Sequence, residues 1–308
     1  MIIHIGFPKS ASTSLQRSLA GSKSGLFLGC NPKAALGEFY HEAIGEFLEK
    51  DIRFAPNDVF NEQAEEIASA LQDLDFHHQG CVTLSYENLS FRLTPHDLPA
   101  DIKLARLAQI SPQNTQWLII YRPVTALLKS LYKNYLLIGY TATPQQFIDE
   151  LTLLGDYGPL ADLDLARLKT RSSEFAPKIS LKIVRLEQSE ALVNFFAQNG
   201  IEIEPLAKEN SGFTDEEIAH ALHFNQQQKA DKTYLSWLEL HRIYPNKAMD
   251  ESVKFKLSRY RHALNEALDN AAQITPQEHF EFNWSKEILE LEARNTAFLK
   301  ENAELLIA

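Results

Sequence analysis

The chain has 308 residues, 44% of them hydrophobic, 10% aromatic and 23% charged, with a formal net charge of −11. That composition excludes an intrinsically disordered chain, and the acidic balance excludes a general nucleic-acid surface. It leaves room for a small anion held by a few local cations.

No stretch approaches the roughly 18 uninterrupted apolar residues of a membrane span. A strand is predicted from residue 2, so the sequence predicts neither a leader nor an anchor. Cys30 and Cys81 lie far apart without metal-ligand spacing, which points to a reduced, cytoplasmic setting.

In chain order, Ile2–Phe7 reads as a buried strand that turns through Gly6 into Pro8-Lys9-Ser10-Ala11-Ser12-Thr13, and a helix follows over Ser14–Ala20. Gly25–Gly29 reads as a short strand. Helices are predicted over Asp58–Leu74, Asp101–Gln109, Val124–Leu137 and Glu187–Asn199, and strands over Cys81–Tyr86, Trp117–Tyr121 and Ser180–Arg185. The runs VTLS and WLII lack apolar/polar alternation, as strands buried on both faces of a parallel sheet do. The expected fold is therefore α/β: a mainly parallel central sheet with helices on both faces over residues 1–212. Residues 213–308 read as a helical extension of the same domain, broken at Tyr244–Asn246 and Thr275–Gln277.

A turn from strand into helix exposes unpaired backbone N–H groups at the positive end of the helix dipole. Lys9 adds a full charge there, and Ser10, Ser12 and Thr13 add hydroxyl donors. The nucleotide-triphosphate motif G-x-x-x-x-G-K-[ST] is not met, because Lys9 comes three residues after Gly6 and Pro8 precedes it. A polar helix cap would also explain the serines. The second element is Arg122, just after a buried strand, with Pro123 suited to the first turn of the next helix and Ser130 eight residues on. A strand-end arginine faces the crevice where α/β sheets bind ligands, and its planar fork suits phosphate.

Together these elements resemble the sulfotransferases that use 3′-phosphoadenosine 5′-phosphosulfate (PAPS), with a bacterial-type T-S-L-Q after the loop, over roughly residues 1–210. That family has a P-loop-type nucleotide-binding fold. It pairs a P-K-[ST]-G-[ST]-T loop with an R-x-P-x-x-x-x-x-S element. Pro8–Thr13 departs from the first only at Ala11, and Arg122-Pro123 lacks the residue between arginine and proline while keeping the arginine-to-serine spacing. The resemblance implies a sulfuryl transfer from PAPS to an acceptor hydroxyl without a metal. Lys9 would stabilise the leaving phosphate, Pro8 to Thr13 would hold the 5′ end, and Arg122 and Ser130 would clamp the 3′-phosphate. The acceptor would be a small-molecule, carbohydrate or lipid-linked hydroxyl, covered by the helical extension.

Glu87, in LSYENLS at the end of a buried strand, is the expected general base, since desolvation there raises a carboxyl pKa. Ala11 is expected in the right-handed helical region, where alanine carries no strain. Arg185 and Glu187 read as a strand-end pair, Lys129 and Lys133 as a solvated face, and His4 as a structural strand histidine. The aromatics Tyr132, Tyr135 and Phe39-Tyr40 read as core residues, and Lys208 or Asn210 as possible nucleotide contacts. A kinase-like phosphotransferase and a non-catalytic nucleotide-binding protein remain open beside the sulfotransferase.

Overall fold

Apolar runs without alternation form the sheet, and they do so with all pairings parallel. The computed structural model describes residues 1–31, 38–206, 214–228, 262, 263, 266 and 281–307. Among these, the strands β1 (Ile2–His4), β2 (Leu26–Phe27), β3 (Val82–Ser85), β4 (Gln116–Tyr121) and β5 (Ser180–Arg185) make one sheet in the order β2-β3-β1-β4-β5. β1 sits at the centre. The chain builds β2 and β3 on one side of it and β4 and β5 on the other, so the connections diverge around β1.

Alternate residues of the strands enter two cores. Ile3, Leu84, Trp117 and Ile119 face one, and Ile2, Leu118, Ile120 and Val184 face the other. The second core is closed by Leu15 and Leu19 of α1 (Ser12–Ala20) and by Leu192, Phe195 and Phe196 of α8 (Ser189–Gln198). The first takes the apolar faces of α3 (Asn57–His77), α4 (Ala100–Ile110), α5 (Val124–Leu136), α6 (Pro144–Leu154) and α7 (Leu165–Phe175). The architecture is thus α/β with a parallel sheet flanked by helices. A short helix α2 (Glu42–Glu46) runs on into a π-helical segment, Phe47–Ile52.

Several boundaries differ from the sequence reading. β1 ends at His4 rather than Phe7, although Ile5 N–H still donates to the Leu118 carbonyl at 3.0 Å. Residues 5–11 already belong to the loop. Pro123 precedes α5 as its N-cap, with φ −49° and ψ 138°, rather than sitting in the first turn. The sequence reading omits α6 and α7. Both begin on side-chain caps: Thr143 with Gln146 in a reciprocal capping box ahead of Pro144, and Asp164 accepting from Arg167 N–H.

In the 213–308 region, α9 (Asp215–Gln228) and α10 (Lys286–Glu301) pack on α5. The buried Asn225 amide donates to the Leu136 and Tyr140 carbonyls at 2.9 and 2.8 Å. Asn295 bonds Leu165 N–H and the Leu163 carbonyl. The tail adds an isolated parallel bridge between Leu306 and Ile183 at the β5 edge, where only helix was expected. The breaks at Tyr244–Asn246 and Thr275–Gln277, and the Lys208–Phe213 loop, lie outside the described residues. Among the described residues no helix is long and apolar enough to cross a membrane.

Candidate functional site

The three central strands β3, β1 and β4 deliver Glu87, the Pro8–Thr13 loop and Arg122 to the same edge of the sheet, the carboxyl edge at which open α/β sheets bind ligands. The loop is shaped by two left-handed residues, Lys9 with φ 62° and Ala11 with φ 61°. This overturns the expectation that Ala11 is right-handed. A Cβ in that region crowds the following carbonyl, at a cost of about 1–2 kcal/mol per residue. The left-handed turns curl the backbone and start α1 abruptly at Ser12.

Ala11 is the N-cap of α1 and supplies no side-chain hydrogen bond. The N–H groups of Ser12, Thr13 and Ser14 therefore precede any intrahelical partner, and Ala11 gives them no side-chain cap. The buried hydroxyls Ser10 Oγ and Ser12 Oγ, in residues 0% and 4% exposed, likewise lack a hydrogen-bond partner. Thr13 points to solvent. An uncapped helix start beside two orphaned hydroxyls fits an oxyanion. The helix after β4 is different. Glu292 on α10 accepts from both Thr125 N–H and Thr125 Oγ at 2.8 Å, so a carboxylate of the chain already occupies the α5 N-terminus.

Arg122 reaches back to the loop and donates through Nη1 to the Lys9 carbonyl at 2.9 Å. It is half-buried, burial lowers its pKa, and among the described residues it makes no ion pair. Among the described residues, then, its partner is the loop carbonyl rather than a carboxylate. Lys133 on α5 is half-buried rather than on a solvated face; burial lowers its pKa, and the charges of Lys129 and Arg122 lower it further. Lys129 pairs with Asp215 of α9 at 2.8 Å. Ser130 is half-buried on α5, and among the described residues no hydrogen bond joins it to Arg122 or the loop. Arg185 and Glu187 form no ion pair among the described residues.

Glu87 opens a short 3₁₀ turn, Glu87–Leu89, directly after β3. Burial pushes its carboxyl above the ordinary range; the Ser12 hydroxyl, the Lys9 ammonium and backbone N–H, and then Arg53 pull the other way. The carboxyl thus faces the loop. Ser12 Oγ lies within its influence but outside ordinary hydrogen-bond geometry.

Beneath the loop, His4 on β1 is fully buried. Its Nδ1 meets Ser85 Oγ at 2.9 Å and its Nε2 has no partner. A Cβ built on Gly6 would lie 2.4 Å from that Nε2, so glycine is required for the loop to pass over the ring. Burial lowers the His4 pKa to about 4 and keeps the imidazole neutral.

Sequence reasoning missed the buried charges behind Glu87. Arg53 forks onto Asp97, Nε to Oδ1 at 2.7 Å and Nη2 to Oδ2 at 3.1 Å. It also donates to Glu49 and to the Tyr86 hydroxyl. Lys103 on α4 is wholly enclosed. A lysine among the buried apolar positions of α4, beside Arg106, was the available signal, since lysine is almost never buried without partners.

One surface cavity, lined by Gln72, Asp75, Gln79, Gln113 and Asn114 among others, lies at the opposite edge of the sheet and has no cation in its lining. Among the described residues, no group of three or more His, Cys, Asp or Glu side chains is arranged to hold a metal. Comparison of the chain with protein-family models, curated proteins and solved structures finds no match.

Proposed function

We propose that the protein is a PAPS-dependent sulfotransferase that transfers a sulfuryl group to an acceptor hydroxyl. The observation that carries this reading is the convergence of Lys9, Arg122 and Glu87 from three strand ends, with Arg122 bonded to the loop and Glu87 facing it. A cation at a leaving oxygen, an arginine for a second phosphate and a desolvated carboxylate are the groups that in-line transfer to a hydroxyl needs.

The residues present fit the donor. The uncapped N–H groups of α1 and the unpartnered Ser10 and Ser12 hydroxyls suit its 5′ oxyanions. The Arg122 guanidinium, with Lys133 beside it and Ser130 on the same helix, suits the 3′-phosphate. PAPS would supply the sulfuryl group. As the sulfur–oxygen bond to the 5′-phosphate breaks, Lys9 neutralises the charge gathering on that oxygen. Glu87 takes the proton of the acceptor hydroxyl as the new sulfur–oxygen bond forms. Its burial strengthens it as a base.

The deciding experiment is calorimetric titration of the wild type and Arg122→Ala with adenosine 3′,5′-bisphosphate, 5′-AMP and ATP. Preference for the bisphosphate that disappears with Arg122 supports the reading. Preference for ATP favours a phosphotransferase, and absence of binding sinks the nucleotide assignment.

A further inference from the structure

We infer that Lys103 is a positioning residue for Glu87: its buried ammonium clasps the turn that aims the carboxyl at the Lys9 loop. The catalytic meaning of this clasp rests on the sulfotransferase reading, but the clasp itself does not.

Lys103 Nζ donates to the carbonyls of Asn88 and Phe91, each at 2.6 Å, from α4 beneath the turn. The two acceptors lie within the segment that follows Glu87, so one cation ties down both ends of residues 88–91. A second tie comes from Ser90 Oγ, which donates to the Ile5 carbonyl at 2.5 Å and joins the turn to the start of the loop. The segment is otherwise irregular, because after the 3₁₀ turn its backbone enters neither the sheet nor a long helix.

The cost of enclosing this cation sharpens the inference. Lys103 is 0% exposed, and enclosing an ammonium is costly unless charge-assisted bonds compensate it. Asp97 and Asp162 favour its charge, while Arg53 and Arg92 oppose it. Each of those four is committed elsewhere: Arg53 with Asp97, and Arg92 with Asp162 through Nε at 2.9 Å. Lys103 has no carboxylate of its own within ion-pair distance among the described residues, and its direct bonds go to the two carbonyls. It is absent from the main electrostatic influences on Glu87. Its action on the carboxyl is therefore geometric, through the backbone of the turn.

The test is the titration of Glu87 followed by carboxyl 13C NMR in 13C-glutamate-labelled full-length protein, assigned by loss of the signal in Glu87→Gln. Amide hydrogen exchange across residues 87–91 is read alongside. In Lys103→Met the turn relaxes, the carboxyl moves away from Lys9 and the Ser12 hydroxyl that hold its pKa down, and its pKa rises by about one unit or more. Exchange protection over 87–91 falls at least about tenfold, while that of β4 is retained. Lys103→Arg, which keeps donors for both carbonyls, stays within about half a unit of wild type.

An unchanged Glu87 titration in Lys103→Met overturns the inference, as does a loss of protection spread equally over β4. If Lys103→Met does not fold, Lys103→Arg decides alone, and a displaced Glu87 titration there overturns it. Neither readout uses a nucleotide, so failure of the bisphosphate to bind would refute the proposed function and leave this result standing.

Discussion

The Arg122 guanidinium donates to the Lys9 carbonyl at 2.9 Å, across 113 residues of sequence. One nitrogen of the fork braces the loop, and among the described residues no hydrogen bond takes up the others. Arg122→Ala is expected to weaken adenosine 3′,5′-bisphosphate binding by about 1.5–3 kcal/mol, the scale of a charge-assisted hydrogen bond. The 5′-AMP affinity should change far less. Equal loss for the two nucleotides in calorimetry would reduce Arg122 to a brace for the loop.

Ala11→Gly should stabilise the protein. Relief of the left-handed strain at φ 61° returns about 1–2 kcal/mol, and the added freedom of glycine in the unfolded chain takes back about 0.5–1 kcal/mol. A net gain of up to about 1.5 kcal/mol is expected in urea unfolding. Ala11→Val should move the midpoint the other way. A destabilised glycine variant would contradict the loop conformation.

Glu87→Gln should abolish transfer yet raise stability at pH 7. The folded carboxyl has a raised pKa. Its contribution is therefore full below the unfolded value and lost as pH rises through the folded one. Bringing a phosphate beside it raises the pKa again, so bisphosphate binding should take up protons. Binding enthalpies measured in buffers of different ionisation heat would reveal the uptake, and Glu87→Gln should remove it.

His4 predicts an acid limb. Its folded pKa of about 4 lies below the unfolded 6.5, so the native state binds fewer protons across that interval. Stability present above pH 6.5 is lost as pH falls towards 4, by about 3 kcal/mol in all. Urea unfolding at pH 7, 5.5 and 4 should show a shallower decline in His4→Gln. Parallel declines would mean that the ring is not held neutral.

The sheet and the three strand-end groups were legible because each is a local pattern: a dense apolar run followed by a polar residue that a strand terminus must present. The buried charges were not. Arg53 meets Asp97 across 44 residues, and Lys103 meets backbone carbonyls that have no side-chain signature. Ala11 misled because alanine takes the right-handed region unless its neighbours forbid it, and the constraint here is tertiary. The caps of α6 and α7 were readable in Thr143-Pro144 and Asp164. Ser130 shows the limit of spacing: eight residues from Arg122 fixes its helix, but among the described residues no hydrogen bond joins the two.

The Glu292 carboxylate that closes the α5 N-terminus lies 167 residues beyond the Thr125 it caps. At about 5–20 residues per second, ribosomes need roughly 8–33 s to reach it after Thr125 is made. During that interval Thr125 has been made and the carboxylate that closes its helix start has not. Closing the α5 start therefore waits on one of the last segments of the chain to be made.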